Sequence, residues 1–120
     1  MQFSPKEPPR VFPVGLTGEI KISDCGKMRL EADELITFDT ESGAEYDVVR
    51  KDWGFYATPS MNGRLKNFGF KSALVKNKFG FIYVMLVEEG KTDEFQAYLE
   101  VEEQKVVQWL DELEPKAKSK

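Results

Sequence analysis

Histidine is absent from this sequence, and that absence excludes more chemistry than any motif present supplies. Without imidazole there is no Ser-His or Cys-His nucleophile pair, no usual zinc site, and no side chain whose ordinary pKa suits general-base work near neutral pH. Cysteine occurs once, as Cys25, so an internal disulfide and an iron-sulfur cluster are both excluded. A reducing compartment, the cytoplasm, is the expected location. Neither GxxxxGK[ST] nor GxGxxG occurs, which removes the phosphate cradles of nucleotide hydrolysis and dinucleotide redox chemistry. No apolar run approaches the ~20 residues of a membrane helix. The opening MQFSPKEPPRVFPVG lacks a signal-peptide core, so neither export nor a membrane partner is expected. No cofactor, no metal and no catalytic residue is assigned.

What is present is unevenly charged. The net charge is −4 over 120 residues, but residues 1–49 balance to −5, residues 50–78 to +6 and residues 79–114 to −8, followed by Lys116, Lys118 and Lys120. A positive segment between acidic ones can recruit a small anion, whereas duplex nucleic acid would also meet the repulsion of the flanking blocks. Small anions are therefore favoured as partners over duplexes. A chain of this length can bury one core without disulfides.

The hydropathy pattern predicts strands first and a helix last. Pro5, Pro8, Pro9 and Pro13 lack backbone donors, and residues 1–15 are expected to be an extended arm outside any ladder. Residues 18–23 and 27–32 form an expected hairpin about Asp24-Cys25-Gly26, since Met28, Leu30 and Ala32 alternate with charged residues. A second hairpin joins 35–40 to 46–50, and Trp53 to Ala57 can add a strand that Pro59 must end. The last hairpin pairs 70–76 with 79–87 through Asn77-Lys78. Its second strand, the longest apolar run, is expected to be central and buried on both faces.

Thr92 is the expected N-cap of a helix reaching to Pro115, with Phe95, Tyr98, Leu99, Val106, Trp109, Leu110 and Leu113 on one apolar stripe and a break near Glu102 allowed. The fold class is thus α+β: an antiparallel β meander or partly open barrel of five to seven strands, closed by a C-terminal amphipathic helix. Domain bounds follow as an arm at 1–15, one domain at 16–114 and a disordered basic tail at 115–120. A meander followed by a terminal helix carrying Trp109 resembles the pleckstrin-homology domain in outline. The basic first hairpin with which that family holds inositol phosphates is not found here, so the resemblance implies a fold and no function.

One segment, KDWGFYATPSMNGRLK at residues 51–66, gathers aromatics, hydroxyls and cations without the alternation seen elsewhere. Trp53 and Tyr56 can stack on a ligand, Thr58, Ser60 and Asn62 can hydrogen-bond to it, and Arg64 can grip a phosphate or carboxylate with Lys51 and Lys66 adding charge. The reading is a non-catalytic binding or accessory domain for an anionic small ligand of sugar-phosphate or nucleotide type. The competing plain reading makes the segment a long loop whose aromatics fill the core. The alternative function is a structural or interaction module that self-associates or docks on a larger enzyme through a sheet edge or aromatic patch. A third is a metal-independent isomerase or lyase using a carboxylate or Tyr.

Overall fold

The computed structural model describes residues 1–116, so the tail assigned to 115–120 lies outside the described residues from position 117 on. The class is α+β, with antiparallel open sheets and one α-helix among the described residues. The chain divides into two compact units, one formed by Met1–Leu35 with Val49–Tyr56, the other by Ile36–Val48 with the chain from Ala57 onward.

In the first unit, β1 (Gln2–Val14) and β2 (Ile20–Arg29) form an antiparallel two-stranded sheet. Residues 1–15 are extended as expected, but they are laddered rather than free. Val11 lies opposite Ser23 and Phe3 opposite Met28, with the register interrupted between Pro5 and Arg10. That interruption is how the proline pair Pro8-Pro9 is tolerated: a bulge needs no donor where the ladder is already broken. Asp24 lies opposite Arg10. Its carboxylate ties down the bulged stretch, reaching Lys6 at 3.4 Å and Arg10 at 3.5 Å and accepting the Gly26 N–H at 3.2 Å. Asp24-Cys25-Gly26 is therefore no hairpin turn, and 18–23 and 27–32 are not separate strands. Gly26, at φ 147°, lies so close to β1 that a Cβ there would run into the Ser4 carbonyl oxygen.

A three-stranded sheet of order β3-β4-β5 follows, comprising in turn Leu35–Asp39, Glu45–Lys51 and Gly54–Ala57. Within the first unit Asp33, at φ 67°, turns the chain so that its N–H donates to the Arg50 carbonyl at 2.7 Å, and the Arg50 N–H donates to the Glu34 carbonyl at 3.0 Å. Within the second unit the Thr40 N–H donates to the Ala44 carbonyl at 3.1 Å, closing the Glu41–Gly43 turn.

The second unit is built on a sheet of order β7-β6-β8, comprising Phe70–Lys76, Ile82–Glu88 and Lys105–Trp109, all antiparallel. The central strand is β6, whose Ser72, Ala73 and Val75 are completely buried. β7 is an edge strand, which corrects the expectation that the longest apolar run lies in the middle. Helix α1 (Thr92–Glu102) covers the face bearing Ala73 and Val75, burying Leu99 against them with Phe95, Met85, Val106 and Trp109 around the cluster. Its N-cap is Lys91 rather than Thr92.

The helix does not reach Pro115. Glu103 adopts the left-handed conformation at φ 53° and stops it, and the β-branched pair Val106-Val107 continues as β8 on the free side of β6. A register shift between Leu74 and Val75 returns both Val106 and Trp109 to the helix-covered face. A stripe at spacings of three and four thus belongs half to a helix and half to a bulged strand. Among the described residues the strands number eight rather than five to seven and form open sheets, and β8 follows the helix, so the helix does not close the chain and the pleckstrin-homology outline is not met.

Candidate functional site

The antiparallel register of the first unit sets Gln2 opposite Arg29 and Ser4 opposite Lys27. Positions two apart on a strand share a face, so these four side chains stand together. They line a cavity of about 560 Å³, with Met28, Leu30, Arg50 and Phe55 completing its wall. The wall carries three cations and no carboxylate, inside a chain of net charge −4.

Arg50 is the best fixed of the three. Both its backbone groups are held by Asp33 and Glu34, and its guanidinium carbon lies 5.7 Å from the centre of the Phe55 ring, a cation–π distance. Its Nη1 is buried without a hydrogen-bond partner among the described residues. A buried donor of that kind loses its hydration with nothing in exchange unless a ligand supplies an acceptor. The carboxylates of the two residues that hold the Arg50 backbone are themselves engaged. Glu34 accepts the Glu31 N–H at 2.8 Å and meets the N-terminal ammonium at 2.9 Å, which together hold its carboxyl below the usual range. Asp33 is bound to the Lys51 ammonium, and that hydrogen bond and its charge push the Lys51 pKa up.

The segment 51–66 is shared between the units. Lys51, Trp53 and Tyr56 belong to the first, and Thr58, Ser60, Asn62, Arg64 and Lys66 to the second. In the first unit Trp53 and Tyr56 stack at 6.2 Å between centroids and 21° between planes, and Trp53 is 72% exposed. In the second unit most of the polar groups serve the fold. The Thr58 N–H donates to the Asp47 carbonyl at 3.1 Å. The Ser60 Oγ accepts the Arg64 N–H at 3.0 Å, at the start of the 3₁₀ turn Arg64–Phe68. Asn62 donates to the Leu113 carbonyl at 2.8 Å. The Arg64 guanidinium lies over Phe68 at 5.6 Å. Lys66 lines a smaller cavity of about 200 Å³ with Lys71, Glu89 and Asp111, two cations against two carboxylates.

The cavity residues were missed for a legible reason. Lys27 and Arg29 alternate with Met28 and Leu30, a pattern that ordinarily marks a solvated face, and only the unexpected pairing of β1 with β2 adds Gln2 and Ser4 to it. The first hairpin is β1–β2, and its far end is basic.

Among the described residues no cluster of His, Cys, Asp and Glu could hold a metal ion, and no helix is long and apolar enough to cross a membrane. No family model matches the chain, and no curated protein or solved structure is significantly similar to it. The cavity wall offers a guanidinium, a group able to form two parallel bonds to a carboxylate or phosphate, with two further cations, one amide, one hydroxyl and an aromatic ring.

Proposed function

We propose that this chain is a non-catalytic binding domain that takes a small anion, of sugar-phosphate or nucleotide type, in the cavity around Arg50. The observation that carries the reading is the unpartnered Nη1 of Arg50 in a wall with Lys27 and Arg29 and no carboxylate. The anionic group would sit against the Arg50 guanidinium, with Gln2 and Ser4 recognising polar substituents and Phe55 facing a ring. This keeps the ligand class expected from the sequence and moves the site from residues 51–66 to the β1–β2 end of the first unit. The exposed, unpaired Cys25 supports a reducing, cytoplasmic setting as part of the same proposal.

The test is a two-dimensional NMR titration with inorganic phosphate, a hexose 1-phosphate and uridine 5′-diphosphate. Amide shifts confined to residues 27–30, 50 and 55, and lost in Arg50→Gln, are the expected result. Shifts that survive in Arg50→Gln, or none with any of the three probes, would refute the reading.

A further inference from the structure

We propose that two copies of this chain pair through β7, edge to edge and antiparallel, about a two-fold axis. Among the described residues β7 has a ladder partner on one side only, since the sheet order is β7-β6-β8. From Ile82 to Val87 it carries no charge and no proline, and neither does the Phe79–Phe81 stretch of the turn before it; charge and proline are the devices with which sheet proteins usually blunt an edge. Phe79, Phe81, Ile82, Tyr83 and Val84 are 47–69% exposed. Such a row of large apolar side chains beside an open edge needs an occupant.

Which backbone groups are open follows from the ladder. The Asn77 N–H donates to the Phe81 carbonyl and the Glu89 N–H to the Gly69 carbonyl, so the odd-numbered residues of β7 form the bonded pairs with β6. Antiparallel bonding alternates. Ile82, Val84 and Leu86 therefore turn their N–H and C=O groups to the free edge.

Charge selects the occupant. The hairpin enters β7 through Lys76 and Lys78 and leaves it through Glu88 and Glu89. When this edge meets itself antiparallel, the basic end of each copy lies beside the acidic end of the other, offsetting the repulsion between two chains of net charge −4. Centring the axis on Tyr83 sets Ile82 against Val84 of the second copy, both with open backbone groups, and puts Lys78, which also meets Glu103 at 3.7 Å in its own chain, level with the second copy's Glu88, which meets its own Lys91 at 3.5 Å. A parallel pairing would align like charges instead.

Sedimentation velocity from about 10 µM to about 1 mM tests this. The full chain should show a concentration-dependent dimer. Val84→Pro should weaken it about 100-fold while keeping the fold, because the N–H it removes faces away from β6. If that variant fails to fold by circular dichroism, Val84→Lys carries the same test. In a Cys25→Ser background, Tyr83→Cys should form an intermolecular disulfide under mild oxidation. Facing residues of a non-hydrogen-bonded pair lie about 4.5 Å apart at Cα, within disulfide range. A monomer at every concentration overturns the proposal, as does a dimer that survives Val84→Pro and Val84→Lys without the Tyr83→Cys cross-link. A monomer whose Ile82, Val84 and Leu86 amides are protected by an added unrelated β-strand peptide overturns it too, since the edge then serves another partner.

Discussion

Arg50 carries a strand hydrogen bond on each of its backbone groups and an unsatisfied donor on its side chain. The two roles separate by substitution. Arg50→Met keeps the backbone and the apolar stem but removes the buried donor, so thermal unfolding should show a more stable chain, by about 1 kcal/mol, that no longer binds phosphate. Gly26 offers the opposite case. At φ 147° with the Ser4 carbonyl against it, Gly26→Ala should cost about 1–3 kcal/mol, measured by urea denaturation.

Glu88 gives a pH signature. The Ser42 and Thr40 hydroxyls donate to its carboxylate and hold its pKa below the ordinary 4.5. A carboxyl with a lowered folded value contributes its stability fully above about 4.5, and loses it as pH falls through that lower value. An acid titration followed by circular dichroism should therefore show Glu88→Gln flattening the stability profile below about 4.5 while lowering the plateau above it.

Among the elements, the hairpins joining β3 to β4 and β6 to β7 are those that alternation and turn residues signal, because both are local, although β7 begins at Ile82 rather than Phe79 since the Asn77 N–H closes a longer turn onto the Phe81 carbonyl. The elements that escaped depend on distant partners. β1 looks like a free arm until its ladder with β2 places the prolines in a bulge. Val106 and Trp109 look helical because a bulged strand on the same face reproduces their spacing. The cavity around Arg50 is hard to read from the sequence for a related reason. Residues 51–66 do have the polar groups a ligand needs, but Ser60 and Asn62 hold their own loops, whereas the cavity cations come from strands far apart in sequence. At this scale Trp109 is the test. It meets Phe95 edge-on at 5.7 Å and the Lys71 ammonium at 4.1 Å, so Trp109→Ala should cost about 2–4 kcal/mol in urea denaturation. A loss under about 0.5 kcal/mol, as expected for surface positions, would refute its packing role.

Across the whole molecule an acidic chain holds a basic cavity, and the two signs act at different ranges. Distant acidic residues repel an approaching anion and are screened by salt, while the short contact with Arg50 that the proposed binding requires would be screened far less. Isothermal titration with a hexose 1-phosphate should accordingly show only a shallow loss of affinity between about 50 and about 300 mM salt. A steep loss would point to diffuse attraction rather than a fitted site. Ligand at about a hundred times its dissociation constant should add about 2.7 kcal/mol to the stability of the bound form.

The two tryptophans fall one to each compact unit, Trp53 beside Tyr56 in the first and Trp109 against Phe95 in the second. The chain thus carries its own pair of optical reporters. Trp53, 72% exposed, should emit at long wavelength and respond to events near the first unit, and Trp109, half-buried, should shift to the red only when the β6 core opens. Comparing Trp53→Phe with Trp109→Phe would let fluorescence follow each half of the molecule through unfolding without any added label.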